Sequence, residues 1–307
     1  MRRIQGGAAL HKRFQRIAVL KGGPSSEREI SLRSGVAVAG GLRTAGYTVD
    51  EIDLTGRTLD LPAGIEAVFI VLHGEFGEDG QIQTLLNARR IPYTGSGADA
   101  SRTACDKRLS KALFDRCGIP NAAWAVVRQG QLCPLPLPVV IKPPRQGSTI
   151  GIHCVKAEKD WAGALKDALN YDDQILVEAY IPGRELTVGL VGNEALPAIE
   201  VVADQGWYDY QAKYHSQGAT QYLTPAPLTE DQSRRCRDLA LKVYQDLGCR
   251  GMGRVDFRMT PEGTLFVLEM NTIPGFTETS LLPKAARSVG IEFPALCDRI
   301  LQQAQID

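Results

Sequence analysis

The chain has 307 residues, 44% of them hydrophobic, which is enough for two or three domains with cores of their own and excludes a small scaffold stapled by disulfides. Its 35 basic residues balance 35 acidic ones, so no global field draws nucleic acid or an anionic membrane, and any anion must be held by a local constellation. The 7 cysteines form no CxxC pair and no zinc-spaced cluster with histidine, a pattern that suits the reducing cytoplasm, and no apolar run reaches the roughly 18 residues of a membrane helix.

The start MRRIQGGAALHKRF is basic without the apolar stretch of a signal peptide, and 1–15 reads as a disordered basic extension. RIAVL at 16–20 reads as a short buried strand, followed by a helix whose start is marked by Ser26 and Glu29 in capping-box spacing. A strand over 47–54, the apolar run AVFIVLHG at 67–74 and a helix near 81–88 complete a β-α-β pattern, which predicts a parallel sheet covered by helices. From 106 onward the texture changes. A helix over 106–117, strands at 122–127, 138–142 and 150–155, a helix over 159–169 and a strand at 174–180 predict a small α+β domain. A third unit opens with LTVGLV at 186–191, and its polar and aromatic stretch over 206–227 has no period and reads as a functional loop. The clearest helix follows, opened by Thr229 with Gln232 in capping-box register and stopped by Gly248. Two alternating strands, 253–259 and 264–270, are joined by the turn TPEG.

Those last strands carry the strongest chemical signal. Side chains alternate along a strand, so Arg254 and Asp256 share one face, and Glu269 and Asn271 share another. Paired antiparallel, the strands bring Asp256, Glu269 and Asn271 together, two carboxylates and an amide oxygen that suit Mg²⁺ carrying nucleotide phosphates. A hairpin with one solvated face would alternate in the same way; the apolar Val255, Phe257, Phe266 and Leu268, and an asparagine where strands disfavour it, weigh towards the metal. Lys142 ends an apolar strand and is followed by PPRQGSTIG, a turn able to cradle an anion. GSGADA at 95–100 matches a dinucleotide fingerprint, but the preceding IPYT is too short and proline-bearing for a first Rossmann strand. No GxxxxGK[ST] is present, and the 4 histidines are dispersed.

In order along the chain stand GGPSSEREIS, LHGEFGEDG, PYTGSG, Asp106-Lys107, IKPPRQGSTIG, VEAYIPGREL, YDYQAKY, GRVDF and LEMNTIPGFTETSLLP. Together, from Arg16 onward, these resemble the D-alanine:D-alanine ligase family, of the ATP-grasp fold. The resemblance implies an α/β fold with a parallel-sheet N-terminal domain over 16–103. Two α+β domains, 104–184 and 185–307, would grip the nucleotide, with 206–227 as a lid. It implies an enzyme that joins two D-alanine molecules at the expense of ATP, through an acyl phosphate, for peptidoglycan precursors. ATP and Mg²⁺ (or Mn²⁺) would be required, with no nucleic acid or membrane partner, and a homodimer is the family expectation.

Residue by residue, the resemblance implies that Lys107, Lys142 and Lys213 serve the nucleotide phosphates. Glu178 with the backbone of Ala179 and Ile181 would line the adenine, and Glu185 would meet the ribose. Asp256, Glu269 and Asn271 match the metal ligands. Glu27 would hold the first D-alanine's amino group in a network with Ser148 and Tyr214, with His73 close by. Ser280 and the backbone near Leu281 would receive the second carboxylate, and Arg254 with the N–H of Gly275 the oxyanion. Ala179 stands where many relatives carry lysine, Pro144 and Met270 are atypical, and Met270 should point away from the metal. The nearest rival, a lactate-incorporating ligase, is distinguished by phenylalanine in place of Tyr214. Another ATP-grasp ligase would differ at Glu27, Tyr214 and Ser280, and a non-enzymatic regulator would lack Arg254 or a metal ligand.

Overall fold

A computed structural model describes residues 12–147, 150–203 and 220–307. Strands β1 (Arg16–Gly22), β2 (Thr48–Leu54) and β3 (Ala67–Ile70) form a parallel sheet in the order β2-β1-β3. A parallel sheet is covered on both faces, which is why the apolar runs are continuous: Ile17, Ala18, Val19 and Leu20, and Ala67, Val68, Phe69 and Ile70, are wholly buried. Helix α1 (Arg28–Thr44) begins two residues past the expected cap, and Ser26 with Glu29 forms no capping box. The first turn is closed instead by Ser25, whose carbonyl accepts from the Arg28 N–H at 3.2 Å; its hydroxyl accepts from the Glu27 N–H at 3.2 Å and donates to the His73 carbonyl at 2.6 Å. Helix α2 (Gln81–Ala88) lies where the sequence predicts it. Of the expected extension, Phe14 is buried in this unit's core and Gln15 donates its N–H to Glu66 at 2.6 Å; residues 1–11 lie outside the described residues.

The middle unit contains α3 (Ala98–Cys105), α4 (Lys107–Arg116), β4 (Trp124–Val127), β5 (Val139–Lys142), β6 (His153–Val155), α5 (Glu158–Ala168) and β7 (Ile175–Ala179). Its strands form an antiparallel sheet, β4-β7-β5-β6, whose core of Val139, Ile141, Trp161, Leu165 and Val177 lies beneath α5. Helix α3 opens on the discounted GSGADA. Its first N–H, on Ala98, donates to the Asp307 carboxylate at 2.9 Å, so the helix N-terminus is occupied by the chain's own anion.

In the third unit, β8 (Arg184–Val191), β9 (Glu194–Ala195), β10 (Ile199–Ala203) and β11 (Thr220–Leu223) precede α6 (Glu230–Asp246), β12 (Met252–Met259) and β13 (Leu265–Asn271). The sheet runs β11-β10-β8-β12-β13, antiparallel throughout, with β9 paired to β8. The capping box of Thr229 and Gln232 is present at 3.2 and 3.0 Å. The expected 206–227 loop ends in an edge strand, since β11 pairs with β10; residues 204–219, with Lys213 and Tyr214, lie outside the described residues. Helices α7 (Leu281–Arg287) and α8 (Phe293–Leu301) then return to the first sheet, where Phe276 meets Phe69 at 5.7 Å and Phe293 at 5.6 Å between ring centroids. One core thus joins the first unit to the last two helices, and the main cleft lies between the middle and third units.

Candidate active site

The β12–β13 pair forms in the expected register, with Arg254 opposite Asn271 and Asp256 opposite Glu269. A bulge then shifts the register, and Phe257 pairs with Val267. The extra residue is Leu268, and the phase of β13 flips there. Val267 is buried in the core while Leu268 joins Glu269 on the cleft wall, which corrects the expectation that Phe266 and Leu268 form the core face. Met270 is buried away from the cleft, as expected.

Asp256 is held by four hydrogen bonds. Its Oδ1 accepts from Thr187 Oγ1 at 2.6 Å and Arg254 Nε at 2.8 Å; its Oδ2 accepts from Arg254 Nη2 at 2.7 Å and Asn271 Nδ2 at 3.0 Å. Two carboxylates and an amide make a hard-oxygen set that fits Mg²⁺ by donor chemistry. In this conformation the Arg254 guanidinium fills the fork of Asp256, so an ion coordinated there would displace it. Among the described residues no three His, Cys, Asp or Glu side chains stand together as a further metal centre.

The opposite wall is cationic. Lys107, in the first turn of α4, pairs with Glu269 at 3.2 Å and donates to the Gln146 carbonyl at 2.9 Å. Burial pushes its ammonium pKa down, but Glu269 outweighs burial and the net shift is upward. Lys142, at the end of β5, pairs with Glu178 on β7, and the same carboxylate pairs with the buried Lys111 of α4. Burial alone would raise the pKa of Glu178; Lys111 and Lys142 outweigh it and hold it at about 2. The cleft between these walls is floored by Ala122, Val140, Ile152 and Leu268 and edged by Ala179, Ile181 and Glu185. Arg258 crosses that edge, donating to the Ile181 carbonyl at 3.2 Å and standing 3.5 Å from Glu185.

A second cavity adjoins the first and shares Glu185 and Asp256 with it. Arg254, Gly275, Thr279, Ser280 and Leu281 line it, with Arg33 and Lys284 at its rim. Ser280 is the residue before α7, yet its hydroxyl does not cap that helix; it turns back to accept from the Thr277 N–H at 3.0 Å. On the far side Glu27 comes down between two glycines, since a Cβ at Gly74 or Gly147 would stand 2.9 or 2.8 Å from its Oε2. His73 is buried beside them, with Nδ1 at 3.0 Å from the Ile273 carbonyl and Nε2 at 3.3 Å from Ser34 Oγ. Burial lowers its pKa, but Glu78 and Glu27 outweigh that and the net shift is upward.

The structure therefore brings together Glu27 with His73, Lys107 with Glu269, Lys142 with Glu178, and Arg254 with Asp256 and Asn271. Ser148, Lys213 and Tyr214 lie outside the described residues. Sequence reasoning missed Thr187, Arg258, Leu268 and Lys111. Arg258 continues the Arg254, Asp256 alternation, and Lys111 lies four residues after Lys107 on one helix face. Thr187 carried no signal, because only the β8–β12 register sets it opposite Asp256.

Two α+β units closing on a cleft, one wall lysine-bearing and the other carrying paired carboxylates, define the ATP-grasp architecture, and solved structures of that fold superpose on the chain. One from Bacillus anthracis, a D-alanine–D-alanine ligase complexed with ATP, matches with a TM-score of 0.83 at 28% identity, over 94% of this chain and 97% of its own. The VanG D-Ala:D-Ser ligase of Enterococcus faecalis matches at 0.82 and 26% identity, over 94% and 98%. Family profiles described as D-ala D-ala ligase N-terminus and C-terminus match residues 55–96 and 113–302. A D-alanine–D-alanine ligase of Methylacidiphilum infernorum is 49% identical over 93% of this chain and 94% of its own length. The chain belongs to the D-alanine–D-alanine ligase family.

Proposed function

We propose that the chain joins two D-alanine molecules into D-alanyl-D-alanine at the expense of ATP, supplying peptidoglycan precursor synthesis in the cytoplasm. The observation that carries this reading is the pair of adjoining cavities that share Glu185 and Asp256. One suits a nucleotide, with apolar floor and cationic wall; the other suits an amino acid carboxylate. In that arrangement Ala122, Val140, Ile152 and Leu268 sandwich the adenine, the backbone of Ala179 and Ile181 with Glu178 reads its edge, and Glu185 takes the ribose. Lys107, Lys142 and Lys213 hold the phosphates. Asp256, Glu269 and Asn271 would hold Mg²⁺ or Mn²⁺, which supplies charge neutralisation on the transferring phosphoryl group.

Glu27, with Ser148, Tyr214 and His73, orients the first D-alanine so that its carboxylate attacks the γ-phosphoryl group, giving an acyl phosphate and ADP. The second D-alanine, its carboxylate on Ser280 and the Leu281 backbone, attacks the activated carbonyl through its neutral amine and expels phosphate. Arg254 and the Gly275 N–H receive the oxyanion of that step. The 206–227 segment, with Lys213 and Tyr214, is the proposed lid that keeps water from the acyl phosphate. A homodimer is carried over from the family. The cytoplasmic reading is supported by 7 cysteines that are all free, 3 of them buried.

The test is release of ADP and phosphate from Mg-ATP supplied with D-alanine, L-alanine or neither, with the product identified when D-serine or D-lactate competes. Release that depends on D-alanine, with the dipeptide as product, is expected. Equal turnover with L-alanine, or none with either isomer, would refute the reading; a mixed D-alanyl product would redirect it to the relatives with other second substrates.

A further inference from the structure

Lys111 is 1% exposed, does not line either cavity described above, and has no role in the mechanism. A buried ammonium is costly unless an anion compensates it, and here the compensating anion is a nucleotide-site residue. Lys111 Nζ pairs with Oε1 of Glu178 and Lys142 Nζ with Oε2, so two cations share one buried carboxylate. The two are not equivalent. Lys142 ends a strand at the cleft and lines it, whereas Lys111 approaches from behind, one helical turn beyond Lys107.

We propose that Lys111 is a positioning residue for nucleotide binding: it is the counter-ion that stays on Glu178 when Lys142 turns to the phosphates. The inference rests on the nucleotide reading of the cleft. With both lysines on it, the trio carries a net positive charge that an incoming phosphate can use. Once Lys142 leaves, Lys111 and Glu178 remain as a neutral pair, and the carboxylate keeps the adenine wall in place. Among the described residues, one further cation has a charge that reaches Glu178. Lys107, whose charge also reaches Glu178, is engaged by Glu269 and the Gln146 carbonyl. Asp115, one turn beyond Lys111, is occupied by the Asn121 amide and the Trp124 indole and does not draw Lys111 away. Burial lowers the Lys111 pKa, and Lys142 lowers it further against the pull of Glu178, so relief of the lysine pair on nucleotide binding strengthens the remaining bond.

Without Lys111, transfer of Lys142 to phosphate would strand a buried carboxylate, which then takes up a proton. The experiment is calorimetric titration of the full chain with Mg-ADP in two buffers of different ionisation enthalpy, which separates affinity from proton uptake. For Lys111→Met the expected result is an affinity about 10- to 100-fold weaker, with proton uptake on binding that the wild type lacks, and recovery of both in Lys111→Arg. Affinity within about twofold of wild type, or weakening with no change in proton uptake, would overturn the proposal, the second outcome marking a packing role. Should Lys111→Met fail to fold, the comparison moves to the Glu178→Gln background. There the second substitution should change affinity by no more than about twofold, and a further tenfold loss would count against it. Wild-type chain that binds no Mg-ADP would bring down the nucleotide reading itself, a result separate from failure of the Lys111 variants.

Discussion

Gly147 lies where the glycine-rich turn of the middle unit passes the Glu27 carboxylate, and replacing it with alanine tests how that carboxylate is used. A Cβ there would stand 2.8 Å from Oε2, against the 3.4 Å at which ordinary contact begins, so the carboxylate must retreat by roughly 0.6 Å. Displacement by about 1 Å costs on the order of 100-fold in rate, and a charge-assisted hydrogen bond contributes about 1.5–3 kcal/mol. Gly147→Ala should therefore lower kcat/KM for the first D-alanine by about 10- to 100-fold while KM for ATP moves by less than about twofold. The assay is ADP release with D-alanine varied at saturating ATP, then the reverse. Gly163→Ala in α5 is the control: a Cβ there meets nothing within 4 Å, and it should stabilise the fold by about 0.5–1 kcal/mol with unchanged kinetics. Unchanged D-alanine kinetics in Gly147→Ala, or a loss shared equally with ATP, would refute the placing of Glu27.

Thr187→Val removes the 2.6 Å hydrogen bond to Asp256 while keeping the side chain's shape. It should cost about 1–2 kcal/mol of stability in denaturant titration and raise the Mg²⁺ concentration needed for half-maximal turnover; an unchanged Mg²⁺ dependence would detach Asp256 from the metal. Glu178→Gln bears on acid stability. Because the Glu178 pKa lies at about 2 in the folded chain, below the ordinary glutamate value of 4.5, the folded state binds fewer protons there than the unfolded state. Its contribution is therefore present above about pH 4.5 and is lost as the pH falls towards about 2. The stability gap between wild type and Glu178→Gln should narrow over that range, and a gap constant with pH would contradict the ion trio.

What the sequence discloses, and what it withholds, follows from the range of the interactions. Strands β1, β3 and β12 and helices α2 and α6 were legible because burial patterns and caps are written locally, in RIAVL, in the alternation of GRVDF, in Thr229 and Gln232. Ser26 with Glu29 has the spacing of a cap but does not form one, because a contact distant in sequence, from Ser25 to the His73 carbonyl, sets the turn. The β13 phase was misread past Leu268 because a bulge exists only relative to the partner strand. Helix α3 is not legible from the sequence because its start depends on Asp307, 209 residues away. Of the site, Asp256, Glu269 and Asn271 could be grouped from alternation, whereas Glu27, His73 and Ser280 were placed only by resemblance, being scattered over loops that meet in space.

The cations and carboxylates of the cleft neutralise one another in this conformation: Lys107 with Glu269, Lys142 with Glu178, Arg254 with Asp256. The proposed function gives the two members of each pair different ligands: phosphate to Lys107 and Lys142, the oxyanion to Arg254, the metal to Glu269 and Asp256, and adenine to Glu178. Desolvated charges are costly when unpaired, and the pairing explains how a half-enclosed cleft can hold so many of them before substrate arrives. On the proposed function, binding a phosphate chain with a divalent ion would exchange partners instead of creating new charge: Lys107 and Lys142 would pass to phosphate, and Glu269 and Asp256 would hold the cation. That exchange would free Arg254 from Asp256 for the proposed oxyanion role. Lys111 would be the exception that such an exchange requires: Glu178, which the proposed function assigns to adenine, would receive no metal, and only a cation that stays behind would keep that carboxylate charged.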